Sequence, residues 1–162
     1  MTPTGRRFLL VNLSLLASIM LAIFPLPNWL EAARPDWLAL VLMYWCMAMP
    51  AYIRFTAVLA FGLLLDIAAG TLLGQHALGL VLVSFAVLKN HARLRMFPLA
   101  QQGMFIMLLV LMKQLLFLWI YGITNNAPDN LWLYFLPSVV ALFLWPVLFV
   151  FMESLQRRFP TG

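Results

Sequence analysis

Charge is scarce in this sequence. Its 162 residues include only five acidic and ten basic side chains, with two histidines, while 65% of residues are hydrophobic. A soluble domain carries about a quarter charged residues and close to half apolar ones, so a water-soluble fold is excluded. A bilayer can solvate this much apolar surface, because hydrocarbon then acts as the solvent for the outer faces of helices. Cysteine is nearly missing too. Cys46 stands alone inside an apolar run, which excludes an intramolecular disulfide and a cysteine-based metal site. His76 and His91 are far apart and neither has a second ligand at metal spacing, so both read as polar loop residues. No cofactor or metal is expected. Nucleic acid is not an expected partner either, since the cations form short runs beside apolar segments with no basic helix face.

What is abundant is oily chain broken by turn signals. The apolar segments are 8–24, 37–49, 55–69, 75–88, 99–123 and 131–153, which predicts an all-α polytopic membrane protein of about six transmembrane helices in one integral-membrane domain, 1–162. The breaks are Pro25-Leu26-Pro27-Asn28, Arg34-Pro35-Asp36, Pro50, Gly70, the basic run Lys89–Arg95 and Asn125–Asn130. The fourth segment is short for a span. Asp36 is placed to cap the second, and Pro146 predicts a bend in the sixth. Arg6 and Arg7 before Phe8–Phe24 resemble a signal sequence, but the run is long and no small-residue cleavage site follows before Pro25, so it reads as an uncleaved first span.

Cations orient the segments. Six crossings place Arg6, Arg7, Arg54, Lys89, Arg93, Arg95, Arg157 and Arg158 on one side, Arg34 on the other, and Lys113 inside a span. Positive loops stay cytoplasmic, so both termini are expected there. The opposite side holds Trp29, Trp37, Trp119, Tyr121, Trp132 and Tyr134, residues suited to a membrane interface. The basic run Lys89–Arg95 could contact anionic lipid, although topology alone accounts for it.

Asp66 and Lys113 are the charges inside spans. An ionisable group in hydrocarbon costs roughly 2.5–3.5 kcal/mol and normally has a partner or faces water. At 1.5 Å per residue they lie ~16 Å and ~21 Å from the cytoplasmic starts of their helices, so an Asp66–Lys113 pair is one expectation, and separate solvation by snorkelling is the other. Gly62, Asp66, Gly70 and Gly74 recur every four residues. A continued helix would align them as a stripe for close packing, within the chain or against a partner helix. Asn12, Ser14 and Ser18 suggest interhelical hydrogen bonds from the first segment.

Two elements go further: Arg34-Pro35-Asp36-Trp37 leading to Tyr44-Trp45 and Met49-Pro50, and Gly62-Leu63-Leu64-Leu65-Asp66-Ile67-Ala68-Ala69-Gly70-Thr71-Leu72-Leu73-Gly74 followed by Ala77-Leu78. With the length, the charge layout and Trp145-Pro146, the chain resembles the bacterial rod shape-determining protein MreD family, in its proteobacterial branch. That resemblance implies a non-catalytic inner-membrane scaffold or regulator of the cell-elongation and peptidoglycan-synthesis machinery. Its implied partners are the transmembrane helix of MreC and, more distantly, MreB, RodZ, RodA and its penicillin-binding protein. It also implies a fold similar to the substrate-binding subunits of energy-coupling-factor transporters. Gly62, Asp66, Gly70 and Gly74, with Arg34, Pro35, Asp36 and Trp37, are then the expected partner surface. The alternative is a small-solute or lipid-intermediate binding or transport protein, with a closed cavity lined by Asp66, Lys113 and Trp119. An intramembrane enzyme would need a second acid, a histidine or a metal set beside Asp66.

Overall fold

A computed structural model describes residues 3–126 and 128–158. Its elements, all helical among the described residues, are α1 (Pro3–Ile23), α2 (Asn28–Glu31), α3 (Trp37–Ala48), a 3-10 turn (Pro50–Tyr52), α4 (Phe55–Ala69), α5 (Gln75–Leu94), α6 (Leu99–Ile123) and α7 (Leu131–Arg158). Four of them, α1, α5, α6 and α7, are long and apolar enough to cross a bilayer, whereas α3 and α4 are shorter apolar helices. The chain is an all-α polytopic membrane protein by this architecture.

The segment expected at 75–88 extends as helix to Leu94. Nothing between Leu88 and Leu94 breaks a helix, and charge at a helix end can reach the interface along its own flexible stem. Most of the expected basic loop is therefore the last turns of α5. The short members are instead α3, with 12 residues, and α4, with 15. At 1.5 Å per residue α3 is ~18 Å long, well below the ~30 Å of hydrocarbon.

That shortfall is tolerable because α3 does not face lipid. Ten of its twelve residues are buried, and α1, α5, α6 and α7 pack around it. A helix that is apolar on every side belongs in a core, and Trp37–Ala48 fits that rule. Side chains from elsewhere complete its ends. Asp36 accepts the N–H of Ala39 at the start. At the far end the Arg95 guanidinium donates to the carbonyls of Met47 and Ala48, satisfying acceptors that every helix C-terminus leaves free. Arg95 thus serves as a cap for α3.

Other polar side chains likewise close helix ends or tie neighbours. Gln102 Nε2 donates to the carbonyls of Leu94 and Phe97, closing α5, while its Oε1 accepts from the buried Trp145 indole at 3.3 Å. Ser14 accepts the Trp45 indole N–H at 2.7 Å, the expected link from the first helix. Asn12 and Ser18 instead bond carbonyls of their own helix, at Phe8 and Leu15. Helix α7 continues through Pro137 and Pro146. Pro146 leaves the carbonyl of Leu142 without its helical donor, and Gly103 of α6 faces that oxygen so closely that an added Cβ would lie 3.2 Å away.

Candidate functional site

One end of the bundle concentrates the polar groups that a membrane fold must justify. It gathers the starts of α3, α5 and α7 and the ends of α1, α4 and α6. Helix α4 terminates because Gly70 takes a left-handed backbone, φ +67°, with Thr71 N–H bonded back to the Asp66 carbonyl at 3.0 Å, a Schellman-type ending that glycine makes easy. Gly74, φ +95°, then opens α5. The four-residue stripe therefore stops at Gly70, and the chain reverses before Gly74.

Asp66 is fully buried, and its carboxylate caps the helix that follows its own. Oδ2 accepts the Gly74 N–H at 2.9 Å; Oδ1 accepts the His76 N–H at 2.8 Å and the Thr71 hydroxyl at 2.9 Å. His76 Nδ1 lies 2.8 Å from the same Oδ1. An ionised carboxylate only accepts, so Nδ1 carries the hydrogen. These N–H groups are among the unsatisfied donors at the start of α5, where helix polarity also favours negative charge. Gly62 supports the same turn from below. A Cβ there would fall 2.3 Å from the Ala77 Cα, so α4 and α5 meet backbone to backbone at this point. The small-residue spacing serves packing within the chain at Gly62, while the space around Gly70 and Gly74 is open.

Lys113, 3% exposed, does not reach Asp66. Its ammonium pairs with Asp36. The expected Asp66–Lys113 pair is replaced by two separate ones, because His76 and three backbone or hydroxyl donors already occupy Asp66. Burial alone would raise the Asp36 carboxyl, but the charge and hydrogen bond of Lys113 outweigh it and hold the group below its ordinary range. Gly79 makes this reach feasible: a Cβ there would meet Lys113 Cγ at 2.9 Å and Cε at 3.0 Å. Phe117 joins the two pairs, with the Lys113 Nζ 5.1 Å from its ring centre and the His76 ring edge-on at 4.9 Å.

Arg34 completes the cluster. Its guanidinium donates to the carbonyls of Ala22 at 2.6 Å and Phe24 at 2.9 Å. Arg34-Pro35-Asp36-Trp37 thus works as a clamp: Arg34 closes α1, Pro35 forbids helix before it, Asp36 opens α3 and holds α6, and Trp37 packs half-buried on the core. His76, Thr71 and Gly79 take roles that spacing alone did not assign, and Asp36 does more than cap. Between α5 and α6, Gln75 Nε2 donates to the Tyr121 hydroxyl at 3.0 Å, and between α6 and α7 Tyr134 and Gln114 exchange bonds at 2.8 and 2.9 Å.

Chemically the arrangement holds parts together. Thr71 and Asp66 meet the same ring nitrogen of His76, whereas a hydroxyl nucleophile would need the other one, Nε2, free to accept its proton. Among the described residues no group of three or more His, Cys, Asp or Glu side chains could hold a metal. A cavity of about 260 Å³ is lined by Gly79, Leu82, Met112, Lys113, Leu115, Leu116 and Trp119. Asp66 is not part of its wall, so it is not the chamber joining Asp66, Lys113 and Trp119 that a transport reading expects.

The sequence model of the family described as rod shape-determining protein MreD matches residues 4–155. The chain belongs to the MreD family. It is also 30% identical over 156 residues to the rod shape-determining protein MreD of Haemophilus influenzae, strain Rd, covering 94% of this chain and 96% of that protein. No solved structure matches the chain. Within the family assignment, the clamp and the Asp66 turn read as the devices that set how the helices of this MreD-type bundle meet.

Proposed function

We propose that this chain is a non-catalytic scaffold or regulator in the cytoplasmic membrane, serving the rod-shape machinery by binding the transmembrane region of MreC. Membership of the MreD family over residues 4–155 carries this reading. Through MreC the chain would act on MreB, RodZ, RodA and its penicillin-binding protein. The helices are joined by short turns, so recognition must use helix faces in lipid, where close packing and small residues drive association.

The docking face we assign is the open side of α4 with the turn that follows it. Asp66 and Gly62 are committed inside the chain, as are Arg34 and Asp36, so they act by holding this face in place. Helix α4 packs on α5 and lightly on α1, leaving Ile67 69% exposed next to the exposed Ala68 and Ala69. Beyond it the Gly70–Gly74 turn presents Leu73, 73% exposed. Ile67→Trp and Ala68→Trp add bulk there without touching the core. Each is expected to lower co-purification of MreC at least tenfold with unchanged membrane levels, while Phe143→Trp on the open face of α7 leaves it intact. Undiminished recovery with both α4 variants would remove this face from the proposal.

Six crossings with both termini cytoplasmic follow from the cation distribution. Tyr44 near the end of α3 bonds Gln156 near the end of α7, which supports putting those two ends on one side. Reporter fusions at residues 2, 95 and 162 are expected to give cytoplasmic signals, and one at residue 127 a periplasmic signal. Ends on opposite sides would exclude the arrangement.

A further inference from the structure

The end of the bundle opposite the carboxylates is almost purely cationic. Arg6, Arg7, Arg54, Lys89, Arg93, Arg95, Arg157 and Arg158 gather there. Glu153 is the single carboxylate among the described residues of that end, and Arg157 already holds it at 2.7 Å. Glu31, Asp36, Asp66 and Asp129 belong to the other end. Arg95 is spent on the α3 carbonyls, but the Arg54 side chain has no hydrogen-bond or ion-pair partner among the described residues.

Arg54 stands at the mouth of a groove of about 330 Å³ between α1 and α4. Leu15 and Leu42, both buried, line it together with Phe61, while Arg54 and Thr56 are exposed and Tyr52 half-buried beside them. The hydroxyls of Tyr52 and Thr56 likewise bond nothing among the described residues, and Arg54 puts no side-chain cap on α4. A transmembrane helix, ~10 Å wide and ~30 Å long, fills ~2,400 Å³. At about 330 Å³ the groove takes only a small fraction of that volume, a size closer to one acyl chain than to a helix.

We propose that this groove holds one anionic phospholipid of the leaflet beside the cationic end. An acyl chain runs between α1 and α4, and the phosphate rests on Arg54, within reach of the Tyr52 and Thr56 hydroxyls. Arg54 supplies the charge complementarity, and the apolar walls supply the fit. The inference requires only that the chain lies in a bilayer; it is independent of any protein partner.

Native mass spectrometry of the full chain tests it, after incubation with equal amounts of phosphatidylglycerol and phosphatidylethanolamine of matched chains. The wild type is expected to retain phosphatidylglycerol preferentially. A cation beside an anionic surface is worth ~1 kcal/mol, so Arg54→Gln should cut that preference about fivefold. Ala57→Phe, which fills the groove and keeps every charge, should reduce retention similarly. Arg158→Gln, exposed on α7, should not. No preference in the wild type, an equal loss with Arg158→Gln, or full retention with Ala57→Phe would each overturn the proposal. Displacement by a polyglutamate peptide would overturn it too, in favour of an acidic protein segment.

Discussion

Replacing Lys113 with methionine is expected to destabilise the bundle by about 1–3 kcal/mol, because it leaves the partly buried Asp36 carboxylate without its counterion. Asp36→Asn in the same chain should recover most of that loss. Asparagine still accepts the Ala39 N–H and still caps α3, while both charges are gone and methionine fills the apolar stem space beside Gly79 and Phe117. Unfolding of the purified protein in mixed micelles, run as a double-mutant cycle, measures the coupling. The geometry assigns the coupling to Asp36. Asp66→Asn should therefore fail to rescue Lys113→Met, and rescue through Asp66 would show that the ammonium had been given the wrong carboxylate.

Asp66→Ala is expected to be the other severe change. It removes a fully buried carboxylate that accepts from two close backbone N–H groups, a hydroxyl and an imidazole N–H. Buried donors left unsatisfied cost about 1–3 kcal/mol each, so a loss of about 3–5 kcal/mol is expected, with the α4–α5 turn loosening first. His76→Ala deletes one of these bonds and leaves the backbone donors satisfied, at a cost of about 1.5–3 kcal/mol for a hydrogen bond to a charged group. The order Asp66→Ala far worse than His76→Ala, read from unfolding midpoints and from accumulation in the membrane, follows from a capping carboxylate. Equal losses would instead make the imidazole contact the principal one. If the α4 face docks MreC, Asp66→Ala should also weaken co-purification, since the turn that presents Leu73 depends on it.

Several features were readable before any fold was known. The breaks at Pro50, Gly70 and Pro128 are backbone statements, since proline and left-handed glycine act through their own local geometry. The cap at Asp36 was legible because it acts on a donor three residues away. The fate of Lys113 was not: its reach to Asp36 crosses 77 residues of chain and depends on Gly79 leaving room for its stem. The stripe was conditional on the helix continuing past Gly70. Spacing by four aligns residues only while helix persists, and Gly70 ends it. Gly62 kept its packing role, with Ala77 as the neighbour.

Composition, apolar runs and the unequal placement of cations were enough to establish a multi-helix membrane protein, because those quantities express how each segment partitions between water and hydrocarbon. Which charge meets which, and which helix is sheltered from lipid, came from tertiary structure alone. Helix α3 shows why. Its all-round apolar character is compatible with lipid or with protein, and only four neighbours closing around ~18 Å of helix decide that it faces protein.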